Sequence, residues 1–355
     1  MRGVTNEFIF LQCFKEPSKS PTLHCRLFLL LFCICMLQEG TGQLTRFSFS
    51  TEKMGSPFNL IFYAHDKIQA DSVANHCFVL VDTLNAHFSD YDSTSELSRL
   101  SASAGSGPRK ISVVMMNILL FSKKAYTMSS GAFDITIGPL SRLWRKARKE
   151  KIFPSAQQVL KRKALVNFSV IKIDTGRREV DLPVKNTLLD LGGIAQGYVA
   201  QAVLDLLKTF GINQALVDAS GDMAISNAPP GTKGWVIGVN VPEQTDNLLP
   251  QKLLLQNTAV STSGDAYQYM EHAGKKYSHI TNPQTGYGIT SQRNVTVIVK
   301  DGTDADWLAT ACSIVSFELV KKLAVENNAS VLVTVLKKGK VVYHSFGKFE
   351  RYWKK

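Results

Sequence analysis

Four short segments carry residue types suited to phosphate and proton chemistry. The first runs Leu189-Asp190-Leu191-Gly192-Gly193-Ile194-Ala195-Gln196-Gly197-Tyr198. An apolar stretch feeds a paired-glycine turn, and a helix starts from it. A helix start presents unpaired N–H groups and the positive end of its dipole, which suits phosphate oxygens. Glycine lets the backbone approach a ligand closely or offer a carbonyl to a metal. Taken alone, the segment reads equally well as an ordinary turn. In the second segment, Asp304-Ala305-Asp306-Trp307-Leu308-Ala309-Thr310, Asp306 and Thr310 stand four apart and share one helix face. A carboxylate and a hydroxyl so placed suit Mg²⁺, a hard oxygen-seeking cation. The plainer alternative is an aspartate complementing the helix N-terminus beside a packed threonine, and spacing alone favours it. The third, Ser261-Thr262-Ser263-Gly264-Asp265, is a polar turn with hydroxyls and N–H groups for phosphate. The fourth, Tyr277-Ser278-His279-Ile280-Thr281-Asn282-Pro283-Gln284-Thr285-Gly286, sets His279 ahead of a Pro/Gly turn, where it can move a proton near neutral pH. A lone histidine is more often structural. Gly131-Ala132-Phe133-Asp134 adds an aspartate beside an aromatic, or simply a core Phe with a turn Asp.

Strands and helices must hold these segments. Residues 58–64 read as a strand after the turn-like Gly55-Ser56-Pro57, and 71–88 carry apolar residues at helical spacing (Val73, Cys77, Leu80, Val81, Leu84). Residues 101–108 form a Ser/Gly loop, and 113–129 a second helix closed by Gly131. Residues 143–151 are strongly basic and predict a solvated surface face. Residues 170–173 and 179–182 predict a hairpin, and 194–210 a helix ended by Gly211. Further strands are expected at 214–217, 235–241, 295–300, 330–336 and 340–344, with one helix over 305–327. Strands interleave with helices but several adjoin as hairpins, which favours an α+β fold of mixed sheets over a doubly wound parallel sheet. No GxGxxG or GxxxxGK[ST] is present, so Rossmann and P-loop readings have no foothold.

The chain has 355 residues, with 41 Lys plus Arg against 29 Asp plus Glu, a balance of +12. Apolar residues are 45% and charged residues 20%, an ordinary globular composition that excludes disorder, collagen and coiled coil as whole-chain answers. The positive balance leaves room for an anionic ligand, and no stripe of Arg and aromatics points to nucleic acid. Residues 27–37 are uninterrupted apolar residues, far short of the roughly 20 that span a bilayer. Arg26 before them and Gly40-Thr41-Gly42 after them complete the pattern of a secretory signal. Residues 1–42 are therefore expected to be an export segment, with 43–355 the mature chain. Neither Cys33 nor Cys35 follows the small residue expected before a lipidated cysteine. Cys77 and Cys312 remain in the mature part, expected as buried free thiols rather than a disulfide framework or a zinc site.

The order and wording of the blocks match one family. Met54-Gly55-Ser56-Pro57-Phe58, Phe88-Ser89-Asp90-Tyr91 with Ser95-Glu96-Leu97-Ser98-Arg99-Leu100, and Gly131-Ala132-Phe133-Asp134 with Gly138-Pro139-Leu140 come first. Asp190 to Tyr198, Ser220-Gly221-Asp222, Thr262-Ser263-Gly264-Asp265, Tyr277-Ser278-His279-Ile280 and Ala305-Asp306 with Thr310 complete the set. Together they resemble the FAD:protein FMN transferases, the ApbE family, from about residue 54 to residue 315.

The resemblance implies that residues 43–355 are one catalytic domain, a Mg²⁺-dependent α+β enzyme that is exported, periplasmic or attached to the inner membrane. It would cleave the diphosphate of FAD, its substrate, and attach FMN through a phosphoester to a Thr or Ser of an acceptor flavoprotein, releasing AMP. The acceptor would be a membrane redox subunit or a periplasmic FMN-binding domain. By motif, Met54, Tyr91, Ala132, Phe133 and Asp134 would line the flavin and adenosine pockets, with Asp190 and Gln196 beside the cofactor and Ile289 a further contact. Gly193 would offer its carbonyl to Mg²⁺, with Asp306 and Thr310 supplying side-chain oxygens. His279 is the candidate for taking the acceptor hydroxyl proton or holding the phosphate, and Asp265 for orienting the same region. Three positions depart from the family pattern: Gln196 replaces a usual Lys, Gly193 a usual Ala, and Gly288 a usual Pro, the last predicting a looser loop. Hydrolysis of FAD to FMN and AMP, and FAD binding without catalysis, are the alternatives. The resemblance implies an acceptor pattern of Ser/Thr-Gly-Ala-Ser/Thr, and the acceptor is expected to be a separate protein, because here Ser130-Gly131-Ala132 is followed by Phe133.

Overall fold

The computed structural model describes residues 43–241, 244–264, 269–291, 293–337 and 340–355. The expected export segment, residues 1–42, and Asp265 lie outside the described residues. The framework is one eight-stranded sheet: β1 (Thr45–Lys53), β2 (Ser56–Ala64), β3 (Ala215–Ala219), β4 (Asp222–Ile225), β5 (Thr258–Ser263), β6 (Arg293–Val299), β7 (Ser330–Lys337) and β8 (Lys340–Phe346). The strands lie side by side in chain order, and each neighbouring pair is antiparallel. The helices are α1 (Lys67–Phe88), α2 (Glu96–Ala102), α3 (Val113–Met128), α4 (Gly138–Glu150), α5 (Ala156–Lys163), α6 (Ala195–Thr209), α7 (Gly302–Ile314) and α8 (Phe317–Glu326). The first six sit in the long excursion between β2 and β3. The fold is α+β, as the patterning implied.

Burial explains the layers. Every residue of β6 is buried, so it lies in the middle with cover on both faces. Val295, Val297 and Val299 turn toward the main core, which includes Val81 of α1, Val199 of α6 and Leu308 of α7. Ile298 turns to the opposite face, where Trp235, Ile237, Leu253, Leu255 and Phe349 form a second cluster. Alternation along a two-sided strand gives this partition directly. Cys77 and Cys312 are buried and free, and burial pushes both thiols up to about 12. No helix among the described residues is long and apolar enough to cross a membrane.

Two hairpin tips meet at one end of the sheet. Lys53 pairs with Ser56 across Met54 (φ 54°) and Gly55 (φ 74°), and Ala219 pairs with Asp222 across Ser220 (φ 60°) and Gly221 (φ 101°). Positive φ at both central residues is the two-residue turn that suits the twist of antiparallel strands. Phe58 pairs with Ala219, so the two tips are neighbours.

Several expectations shift. The single helix over 305–327 is two, α7 and α8, because Ser316 turns to extended backbone and accepts the Leu319 N–H as an N-cap. The strand over 235–241 is two short pieces, Trp235–Ile237 and Asn240–Val241, in separate ribbons. Strands β1, β4 and β5 escaped the reading. Strand β1 offers only a partial apolar alternation, with just Phe47 and Phe49 turned inward as apolar residues. Gly288 packs rather than loosens: a Cβ there would lie 2.2 Å from the Ser278 carbonyl oxygen.

Candidate active site

A cavity of about 900 Å³ opens at the end of the sheet where the two hairpin tips meet. Met54, Tyr91, Ala132, Phe133, Asp134, Asp190, Gly193, Gln196, His279, Asp306 and Thr310 all line it. Residues from six separate stretches of sequence thus converge. Ile289 does not line it; instead its N–H donates to the Ile280 carbonyl and its carbonyl accepts from Ser278, both at 2.9 Å. It braces the His279 turn from behind.

The floor is acidic and close-packed. Helices α6 and α7 touch backbone to backbone, since a Cβ on Gly197 would lie 2.2 Å from the Gly302 carbonyl oxygen. That approach lets the Gly197 N–H donate to Asp306 Oδ2 at 3.0 Å. Asp306 is only 5% exposed. Burial holds its carboxyl well above the usual carboxylate range, the charge of Asp222 adds to this, and the Gly197 bond opposes it. Asp222, just beyond the Ser220-Gly221 tip, is pushed up to about 7, chiefly by burial, against a short hydrogen bond donated by the Ser261 hydroxyl. Thr310 lies one turn beyond Asp306, directly against Gly193: a Cβ on Gly193 would stand 2.9 Å from Thr310 Oγ1. Glycine at this position therefore leaves the Thr310 hydroxyl uncrowded.

The wall carries two arginines, one of them paired with two aspartates. Asp190 is fixed from three sides: its N–H donates to the Ile135 carbonyl at 2.7 Å, its Oδ1 accepts the Gly192 N–H at 2.8 Å, and its Oδ2 accepts from Arg145 at 2.9 Å. Arg145 also donates to Asp90 and lies over the Tyr91 ring, 4.5 Å from its centroid. Burial alone would lower the Arg145 pKa, but Asp190 and Asp90 carry it upward. Arg148, one turn on, is partly buried in the same wall and makes no hydrogen bond or ion pair to any described residue. Burial and then Arg145 lower its pKa. The expected solvated face over 143–151 is thus divided, with Arg145 and Arg148 turned to the cavity. Sequence reasoning missed both, and it gave Asp222 no role although its Ser-Gly-Asp block was visible. The i, i+3 and i+7 spacing of Ser141, Trp144 and Arg148 was the available signal.

Other lining residues are already engaged. Asp134 Oδ1 accepts the Thr136 N–H at 2.8 Å and the Thr136 hydroxyl at 2.6 Å, and Oδ2 accepts the Phe168 N–H at 3.1 Å. Its carboxylate holds the turn that presents Ala132 and Phe133. Gln196 donates to the Ser56 hydroxyl at 3.1 Å, tying the start of α6 to the first hairpin tip. His279 is exposed on the cavity rim. It follows a ribbon, Tyr269–His272 paired with Lys275–Ser278, whose Tyr277 stacks on Trp144 at 6.1 Å between centroids.

A sequence model of the ApbE family matches residues 54–333, most of the chain and every segment of this cavity. The chain belongs to the ApbE family. It is 30% identical over 261 residues to an FAD:protein FMN transferase of Klebsiella pneumoniae, covering 73% of this chain and 79% of that relative. It is 28% identical over 288 residues to one of Vibrio cholerae, covering 79% and 85%. Among solved structures it is similar to a Pseudomonas stutzeri flavinyl transferase ApbE in its apo form, with TM-score 0.77, 27% identity, and coverage of 87% of this chain and 97% of that one. The flavin transferase ApbE from Vibrio cholerae shares the fold, with TM-score 0.78, 24% identity, and coverage of 87% and 99%.

Proposed function

We propose that this ApbE-family enzyme transfers FMN from FAD to a Ser or Thr hydroxyl of an acceptor flavoprotein, with Mg²⁺, releasing AMP outside the cytoplasm. The observation that carries this reading is the pairing, within one cavity, of an acidic floor with a wall that holds Arg148, a cation with no ion pair to any described residue. A diphosphate ester needs both, a divalent ion on one side and direct positive charge on the other.

The donor set suits Mg²⁺. Asp306 and Asp222 are inward-facing carboxylates whose proton affinity burial holds high, with the charge of Asp222 adding to that of Asp306, a state that a divalent ion relieves. No group of three or more His, Cys, Asp or Glu residues among the described residues forms a cage. Mg²⁺ ordinarily uses one or two carboxylates and takes its remaining oxygens from substrate phosphates and water. Asp306, the Thr310 hydroxyl and the Gly193 carbonyl would hold it, with Asp222 adjacent. When bound, it supplies neutralisation of charge on the diphosphate as the P–O bond breaks.

The chain's own residues do the rest. Arg148 draws the phosphate oxygens and supplies the positive charge that Gln196, in place of lysine, does not. Arg145, anchored on Asp190 and Asp90, sets the wall to which they bind. The acceptor oxygen bonds to the phosphorus on the riboflavin side, the bond to the AMP oxygen breaks, and the hydroxyl proton passes to an imidazole nitrogen of His279 on the rim. Asp265 orients that region. Met54, Tyr91, Ala132 and Phe133 flank the flavin and adenosine.

The test is intact-mass analysis of an acceptor carrying the target Thr after incubation with the enzyme, FAD and Mg²⁺. Gain of one FMN on the acceptor with AMP in solution supports transfer. Free FMN with an unchanged acceptor means hydrolysis, and no turnover at all means a binding protein.

A further inference from the structure

The charge of this chain is concentrated beside the cavity. From Gly138 to Lys163, helices α4 and α5 and their connection, nine residues are Lys or Arg and a single one, Glu150, is acidic. This stretch holds eight of the net +12. Arg145 and Arg148 turn inward, while Lys146, Lys149, Lys151, Lys161 and Arg162 are exposed. Of these five, only Lys146 has an ion-pair partner among the described residues, Glu150 at 3.8 Å, with both side chains largely in solvent. Such a pair leaves the positive field nearly intact.

The position of this face gives it meaning. Helix α4 is a wall of the cavity on one side and solvent-facing on the other. Helix α5 packs on α4 through Val159, which joins Leu140, Trp144 and Ala147 in one cluster. Val159 also abuts Gly286, in the turn that follows His279. The exposed basic face therefore flanks the rim over which an acceptor hydroxyl must enter. Ile152 (65% exposed) and Leu160 (67% exposed) lie in the same stretch, large apolar side chains turned to solvent among the lysines. Cations with interspersed apolar side chains suit an acidic protein surface, by steering approach and then by local contact.

We propose that the α4–α5 face docks an acidic surface of the acceptor protein and so presents its hydroxyl to the cavity rim. This rests on the transferase reading. Two acceptor peptides containing Ser-Gly-Ala-Thr, one flanked by glutamates and one by glutamines, serve as probes. They are assayed with the wild-type enzyme and with Lys146→Glu/Lys149→Glu/Lys151→Glu and Lys161→Glu/Arg162→Glu variants. Lys→Gln and Arg→Gln versions replace any that unfold. The expected result is a fall of about tenfold in kcat/KM for the acidic peptide at low salt, with the neutral peptide unchanged and the difference erased at high salt. Equal rates on both peptides in all enzymes overturn the proposal. So does loss of binding to phosphatidylglycerol–phosphatidylcholine vesicles with peptide transfer intact, which assigns the face to a membrane. If the wild-type enzyme transfers FMN to neither peptide, the transferase reading fails, and anisotropy of the labelled peptides decides docking by itself. Wild-type preference for the acidic peptide, lost in the variants, sustains it, and no preference overturns it.

Discussion

The floor and the wall of the cavity are built on opposite terms. The floor sits on the sheet and on two helices so close that a methyl group does not fit between them, with Asp306 buried and Asp222 partly so. The wall hangs on α4, within the long excursion between β2 and β3, and its arginines are partly exposed. A buried acid pair is costly until a cation binds, so its geometry must be fixed in advance by packing. A partly solvated guanidinium tolerates imprecision, because water screens its errors. Substitutions in the floor should therefore affect both chemistry and folding, whereas those in the wall should affect binding alone.

The largest effect is expected in the floor. Asp306→Asn should slow FMN transfer roughly 10²–10³-fold, as loss of an ion worth several kcal/mol implies, in a Mg²⁺-saturated mass-gain assay. Gly197→Ala comes next. The added Cβ meets the Gly302 carbonyl at 2.2 Å and the Asp306 Cβ at 2.6 Å. Overpacking of this kind should cost about 1–3 kcal/mol in urea unfolding. The pH dependence of the floor follows. Burial raises Asp222 to about 7 in the folded protein, so its contribution to stability is complete below its ordinary unfolded value and is lost as pH rises through the folded one. Metal-free protein should melt lower at about pH 8 than at about pH 5, and Mg²⁺, which selects the ionised form, should raise the melting temperature more at the higher pH. The smallest effect is in the wall: Arg148→Gln should raise KM for FAD roughly tenfold with kcat near wild type and unfolding unchanged.

The same contrast explains what the sequence could disclose. The floor was only partly readable: Asp306 and Thr310 stand one helical turn apart and the Gly192-Gly193 turn leads into α6, but local spacing fits an aspartate at a helix start and an ordinary turn equally well. That Gly193 meets Thr310 across more than a hundred residues was implied only by resemblance, since spacing says nothing of distance between segments. The wall was misread because six cations within ten residues look like a solvated helix. Only the packing of Trp144 and Leu140 against Val159 turns Arg145 and Arg148 inward. Asp222 was hidden for a different reason: a four-residue strand after a two-residue turn offers too few positions to show alternation. The break between α7 and α8 was available in Ser316, a capping residue in an otherwise continuous apolar pattern.

The central claim is that the acidic floor reads the diphosphate of FAD through a divalent ion. A flavin-fluorescence titration of FAD into the purified protein, with Mg²⁺ and with EDTA, for wild type and Asp306→Asn, addresses it directly. The account predicts that Mg²⁺ tightens FAD binding to the wild type and leaves Asp306→Asn at the EDTA affinity. Equal FAD affinity of the wild type with and without Mg²⁺, or no affinity for FAD at all, would contradict it.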